Sequence, residues 1–350
     1  MPSDMFVSMI GGSRMITIYD IAEECGVSPA TVSRVINMSP VVSSATRNKV
    51  MLAIEKLGYS IPEKPANAGR IILYISNVSD PNINNAGYAA ISDAGYQMLF
   101  FYCGESKNTG NDLLQFLDSG IAGSIAAVVL LNAGLYVNSE IESRLSRYPV
   151  LQLMTRNTDL RRSVSAIIDY HHAYYKATEH LLDLGCENIC IFSSSHASED
   201  TSGIDAGSYA NGYRSALFER GKIPETDKII ECDFTTDGCY EAALAYLRSH
   251  TQRPDAFICP VDSMAVGCIR AVHDLGLSCP EDIKVMSMMS DYYSSFTIPS
   301  ISTLHIPYEA MFRDGIRSVV QMLSDTSINS QVLLFDYTLD YKESTEGRKR

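Results

Sequence analysis

Thr17–Ile61, TIYDIAEECGVSPATVSRVINMSPVVSSATRNKVMLAIEKLGYSI, decides how this chain is read. Thr17 suits an N-cap, and Ile18, Ile21, Ala22 and Cys25 recur at helical spacing, so a helix is predicted from about Ile18 to Cys25. Gly26 follows, the residue that tolerates positive φ and stops a helix. Ser28 caps a second helix with Pro29 at its first position, where a missing N–H costs nothing. Val32, Val35 and Ile36 then face a core, while Ser28, Ala30, Ser33 and Arg34 face outward. Asn37–Ser43 is a polar loop, and Ser44 caps a third helix with the apolar stripe Val50, Ala53, Ile54 and Leu57. This layout is that of a helix-turn-helix, whose second helix enters the DNA major groove by its N-terminal residues. Small outward residues let that helix sit deep, and Arg34 can reach a phosphate or a base edge. A plain three-helix bundle would need neither the Gly turn nor the Ser-Pro start.

Charge refines that expectation. The chain has 350 residues and a net charge of −13. Residues 1–64 hold six Lys/Arg and six Asp/Glu, so the whole excess lies beyond them. A neutral helical unit binds DNA weakly as one copy, and affinity then has to come from two linked copies. No apolar run approaches the roughly 20 residues that span a bilayer, and residues 1–14 make a poor signal peptide, so a cytoplasmic, membrane-free protein is expected. Nine scattered cysteines without a CxxC fit buried free thiols in a reducing compartment. The pair His171–His172 has no ligand spacing beside it, so neither metal nor cofactor is expected.

Beyond a Pro- and Gly-containing linker the texture changes. Short apolar runs (Ile71–Ser76, Gln97–Cys103, Ala126–Leu131, Val150–Met154, Asn188–Phe192, Ala256–Cys259, Ile283–Met288) alternate with helical patterns. That alternation predicts an α/β class with parallel sheets covered on both faces. G-x-G-x-x-G, Walker, G-x-S-x-G and H-E-x-x-H motifs are absent, and no catalytic constellation stands in their place, so an enzyme is not expected. A solute receptor lacking any DNA role is the alternative that the α/β part alone would allow.

The motifs T-I-x-D-I-A, G-V-S-x-A-T-V-S-R-V-I-N, V-S-x-x-T-R-x-K-V and A-I-x-x-L-G-Y resemble the DNA-binding headpiece of the lactose/galactose repressor (LacI/GalR) family. Further blocks carry the resemblance along nearly the whole chain: Asp169–Leu182, Gly212-Tyr213-Arg214, Val261–Gly267, Pro280–Val285 and Thr303–Pro307. The resemblance implies a helix-turn-helix headpiece followed by a two-subdomain, periplasmic-binding-protein-like core. It also implies a ligand-responsive regulator, most often a repressor, that binds double-stranded operator DNA as a homodimer. A sugar or sugar derivative would sit between the subdomains. The implied division is 15–61 for the headpiece, 62–69 for the linker, 70–167 plus 289–316 for the first subdomain, 168–288 plus 317–341 for the second, and 342–350 as a disordered polar tail. The DNA-facing set is Thr17, Tyr19, Ser28, Pro29, Ala30, Thr31, Ser33, Arg34 and Asn37. The cleft set is Tyr74, Asn77, Asp80, Arg156, Tyr209, Asp262, Ser290 and Tyr292.

Three departures from the family pattern stand out. The linker is short and lacks the A-R-x-L stretch of a minor-groove hinge helix; Pro62, Pro65 and Gly69 each oppose helix there. Tyr209 stands where sugar-binding members usually have Arg, and Ser287-Met288-Met289-Ser290 replaces G-F-D-D, while Asp262 retains the usual hydroxyl-binding carboxylate. An N-cap is the competing structural role for Asp262. The helix after the first strand is shortened; Tyr88, Ile91, Leu113, Phe116 and Leu117 are expected in the core more than at an interface.

Overall fold

The computed structural model describes residues 17–36, 42–57, 59, 70–78, 80–103, 109–131, 138–194, 206–289 and 294–347, without the side chains at 33, 36, 194 and 206–208. The chain divides into two compact units, Met1–Ala66 and Asn67–Arg350. The expected linker, 62–69, lies outside the described residues.

The first unit holds α1 (Ile18–Cys25), α2 (Pro29–Ile36) and α3 (Ser44–Leu57). Thr17 N and Oγ1 both donate to Asp20 Oδ2 at 2.7 Å, tying down the start of α1. Gly26 ends it at φ 60°, ψ 40°, and Val27 N donates to Ala22 O at 3.0 Å. That is the left-handed cap which only glycine adopts at little cost. Ser28 Oγ accepts from Thr31 N at 3.1 Å and so caps α2. The cap of α3 is Ser43, whose Oγ accepts from Thr46 N at 3.2 Å, one residue before the expected Ser44. Ile21, Ala22, Cys25, Val32, Val35, Val50, Ala53 and Ile54 form this unit's core.

The second unit begins with β1 (Ile71–Ser76), α4 (Pro81–Asp93), β2 (Gln97–Tyr102), α5 (Thr109–Leu117), β3 (Ile125–Leu131), α6 (Ser139–Leu145), β4 (Val150–Leu153) and β5 (Ser163–Ile168). It continues through α7 (Tyr170–Asp183), β6 (Ile189–Ser194), α8 (Ala206–Glu219), β7 (Ile229–Cys232), α9 (Thr236–Ser249), β8 (Ala256–Cys259), α10 (Asp262–Asp274), β9 (Lys284–Ser287) and β10 (Ser302–His305). The chain then runs through α11 (Tyr308–Ser324), β11 (Gln331–Phe335), β12 (Thr338–Asp340) and α12 (Glu343–Glu346). The strands form two six-stranded sheets, ordered β11-β5-β4-β3-β1-β2 and β12-β10-β9-β8-β6-β7. Every pairing is parallel except β10 with β12. Each residue of β3 is buried, as a central strand covered on both faces requires.

The chain passes between the two sheets three times: from β5 to α7, from β10 to α11, and from β11 to β12. This corrects the expected division. Residues 302–305 pair with β9 in the second sheet, whereas β11 pairs with β5 in the first and α11 packs on β3, β4 and β5. The second passage therefore falls after His305, and 317–335 belongs with the first sheet. Weak β patterning in Ser302–His305 had hidden the strand.

The tail is also corrected. Ser344 and Thr345 are buried, and α12 packs on β9 and β10. Ser344 Oγ accepts from Ser302 N at 2.8 Å and donates to Val285 O at 2.5 Å, and Ser300 N donates to Glu343 Oε2 at 2.9 Å. The polar residues that suggested disorder instead satisfy the backbone at the end of a sheet. Residues 348–350 lie outside the described residues.

Candidate functional site

The helix-turn-helix presents the outward set largely as its spacing requires. Thr17, Tyr19, Ser28, Ala30 and Arg34 are exposed, Tyr19 by 68%, and Pro29 and Thr31 are half-buried. Ser28 Oγ lies 2.9 Å from Thr31 Oγ1, so these two hydroxyls hold each other at the mouth of α2. Asn37 and the Ser33 side chain lie outside the described residues. The exposed end of α2 therefore offers small side chains and the Arg34 guanidinium, backed by a sealed core of Val32 and Val35. On the same unit, Lys56 Nζ lies 2.6 Å from Glu24 Oε1.

In the α/β unit, Asn77, Asp80, Arg156 and Asp262 follow the C-terminal ends of parallel strands, where open sheets collect ligands. Tyr74, in β1, is wholly buried; its hydroxyl donates to Asn84 Oδ1 at 2.9 Å, and Phe312 meets its ring edge-on at 5.8 Å. That packing makes Tyr74 a wall of the first subdomain and corrects its expected ligand-facing role. Asn77, just past β1, keeps a buried Oδ1 with no hydrogen-bond partner among the described residues. Asp80 caps α4, accepting from Asn82 N at 2.6 Å and Ile83 N at 3.2 Å. Arg156 is exposed after β4, where Met154 takes φ 62°, a strained angle for a side chain that is not glycine.

Tyr209, on α8, is half-buried and stacks on Tyr174 with ring centroids 4.8 Å apart, while Tyr170 meets it edge-on at 5.3 Å. Tyr308, the first residue of α11, completes this cluster. Burial pushes its phenol far up, with Asp80, Tyr74 and Tyr209 adding to the effect. Burial does the same to Tyr170, helped by Tyr209, Tyr308 and Tyr174. The structure thus gathers Tyr74 and Asp80 of the first subdomain with Tyr209 of the second around Tyr170 and Tyr308. Sequence reasoning missed both of the latter as site residues. Their signal was positional: each opens the helix that follows a passage between the sheets.

Asp262 is fully buried, and its Oδ1 accepts from Thr303 Oγ1 at 2.9 Å. It is the first residue of α10, with Val261 as the cap, so the N-cap role does not apply. Ser287 Oγ donates to Met289 O at 3.2 Å, and Met288 is buried. The stretch replacing G-F-D-D therefore presents a half-buried thioether at Met289 rather than carboxylates. Ser290 and Tyr292 lie outside the described residues. Of the apolar residues after β1, Ile91, Leu113 and Leu117 are buried, while Tyr88 is exposed. Among the described residues, no cluster of three or more His, Cys, Asp or Glu could hold a metal, and no helix is long and apolar enough to cross a membrane.

Comparison with known proteins places both units. Residues 17–62 match the profile of bacterial regulatory proteins of the lacI family, and residues 178–345 match a periplasmic binding protein-like domain. Catabolite control protein A of Priestia megaterium is 26% identical over 345 residues, 95% of this chain and 99% of that protein. The HTH-type transcriptional regulator GalR of Escherichia coli (strain K12) is 27% identical over 336 residues, 94% of this chain and 96% of that protein. The solved structure of a transcriptional regulator CelR–cellobiose complex superposes with a TM-score of 0.67 at 24% identity, over 94% of this chain and 99% of that one. With its helix-turn-helix unit, its two-sheet core and relatives matched end to end, the chain belongs to the LacI family of transcriptional regulators.

Proposed function

We propose that this protein is a repressor that binds a two-fold related operator in double-stranded DNA as a homodimer, under the control of a small carbohydrate or carbohydrate derivative held between its α/β subdomains. The observation that carries the reading is the exposed face of α1 and α2, where Tyr19, Ala30 and Arg34 stand outward on a separately packed unit. Neutral charge makes one such unit a weak binder, so pairing supplies the affinity. DNA of this kind is met in the cytoplasm. No catalytic step is needed: a ligand that prefers one subdomain arrangement by about 1–3 kcal/mol is enough to switch DNA binding.

The cellobiose named with the CelR structure favours a sugar as ligand. In this reading the Tyr209 ring covers an apolar sugar face, the Asn77 Oδ1 accepts from a hydroxyl, and Asp80 and Arg156 face the ligand across the first subdomain. Asp262, held by Thr303, anchors the second-subdomain side. The short linker lacks a wedging Leu, so the bound operator is kinked less than by a hinge-helix member.

Gel shifts with genomic fragments, including those flanking the gene itself, test the first half. Retardation is expected, and it should vanish with Arg34→Ala; a protein that retards no fragment refutes the reading. A thermal-shift screen of sugars tests the second half. Tyr209→Ala and Asn77→Ala should abolish the stabilising sugar's effect while leaving DNA binding intact. Stabilisation that persists in both variants puts the ligand elsewhere.

A further inference from the structure

A buried phenol costs stability unless its hydroxyl finds a hydrogen bond. Elsewhere in the α/β unit that demand is met inside the protein: Tyr74 Oη donates to Asn84 Oδ1 at 2.9 Å, and Tyr213 Oη donates to Ile189 O at 2.8 Å. The tyrosines gathered at Tyr209 depart from this rule. Tyr174 is 1% exposed and Tyr308 is 9% exposed, yet neither hydroxyl has a hydrogen-bond partner among the described residues. Tyr170 is 6% exposed, and its hydroxyl reaches only the Met154 thioether, a weak acceptor, at 3.9 Å. Besides burial, what acts on these three phenols is the neighbouring tyrosines, the Cys259 thiol and the Asp80 carboxylate; among the described residues no cation does. Arg156, the cation of the cleft set, is exposed and is not one of the groups that act on them.

We propose, resting on the reading of the cleft as a carbohydrate site, that Tyr174 and Tyr308 are ligand-binding residues whose hydroxyls donate to oxygens of the sugar, and that this sugar is uncharged rather than phosphorylated. The carbohydrate reading by itself assigns neither residue and leaves the ligand's charge open. Tyr308 opens α11, which packs on the first sheet, and it lies close to Asp80 after β1. Tyr174 belongs to α7, which packs on α8 of the second subdomain, and its ring stacks on Tyr209. Each subdomain thus holds one buried donor without a partner, and a sugar that accepts from both ties the two together. A sugar hydroxyl or ring oxygen can accept from a phenol, whereas an ammonium group has no lone pair to offer. A phosphate would lose its water among phenols with no cation to pair with it, and with the Asp80 carboxylate close to Tyr308.

Tyr174→Phe and Tyr308→Phe, made in the full-length protein, remove one hydroxyl each and keep the ring. Without ligand, both variants should melt at or above the wild-type temperature, because no hydrogen bond is lost. A hydroxyl that served only the fold would lower it, and such a drop removes that residue from the proposal. Melting is then followed with glucose, galactose, maltose and cellobiose, and with glucose 6-phosphate and fructose 6-phosphate, at equal concentrations. At least one uncharged sugar should stabilise the wild type, and neither phosphate should. Calorimetric titration with the most stabilising sugar should show affinity about tenfold weaker in each variant, the loss of one hydrogen bond. If no sugar of the panel stabilises the wild type, the carbohydrate reading fails and this inference fails with it. If an uncharged sugar does so but binds both variants as tightly as the wild type, or if a phosphate stabilises as much, this inference is overturned while the carbohydrate reading stands.

Discussion

Gly212 stands where α8 crosses α7 with no room for a methyl group. A Cβ there would strike the His171 carbonyl oxygen and come within 2.9 Å of Tyr174 Cβ and 3.0 Å of Tyr175 N. Gly212→Ala should destabilise the protein by about 1–3 kcal/mol, the cost of forcing helices apart in a packed core; denaturant unfolding measures it. A loss below about 0.5 kcal/mol would mean that the two helices separate freely. His180 makes a different prediction. Its ring is 15% exposed and lies 3.5 Å from Glu346 Oε1, yet burial outweighs the carboxylates and lowers its pKa below 6.5. Between that folded value and 6.5 the unfolded chain binds more protons, so the stability contribution is complete above 6.5 and declines as pH falls through the folded pKa. Melting temperature followed from about pH 7 to about pH 5 should drop more steeply in the wild type than in His180→Asn. Parallel curves would remove His180 from the account.

At the scale of elements, α12 is four residues long and still matters, because its Ser344 and Thr345 side chains lie inside the second subdomain. Ser344→Ala leaves Ser302 N–H buried without its acceptor and should cost about 1–3 kcal/mol. A chain ending at Tyr341 should melt lower still while retaining operator binding; an unchanged melting temperature would show that the tail only rests on the sheet. The edge strands behave as exposure requires. Val332 and Leu334 of β11 and Phe100 and Tyr102 of β2 are exposed, whereas β3 at the centre has no exposed residue. The passages between sheets are the elements that organise the site. Tyr170 and Tyr308 open α7 and α11 just after two of them; the Tyr170 ring meets Tyr209 edge-on, and Tyr308 lies near enough for Tyr209 to help push up its phenol.

At the scale of the whole molecule, all of the −13 charge lies beyond residue 64. Within the described headpiece the cations are Arg34, Arg47, Lys49 and Lys56, and Lys56 is engaged by Glu24. A dimer using Arg34 and Lys49 from each copy neutralises about four phosphates, so log K against log salt should slope at about −4 or shallower. A filter-binding or anisotropy titration across salt concentrations measures this. A slope near about −10 would require cations outside α1–α3 to grip the DNA. A shallow slope also makes operator affinity depend on two headpieces being held together, which is what subdomain movement can control.

Local signals carried the headpiece. Gly26, Ser28 and Pro29 each act through their own backbone or the next turn, so spacing along the chain was enough to draw α1 and α2. The buried strands β1 and β8 were equally legible, because a strand covered on both faces must be apolar throughout. Legibility failed where partners are distant in sequence. Ser302–His305 becomes a strand only because β9 and β12 flank it. Ser344 is buried only because Ser302 N and the Val285 carbonyl need it, and Tyr74 faces inward only because Phe312 arrives from α11. A residue's own sequence therefore determined the DNA-reading unit and the α/β class, since caps and periodicity are short-range. The sheet assigned to each late segment and the tyrosine cluster were decided by tertiary structure, since each depends on which distant side chain occupies the adjoining volume.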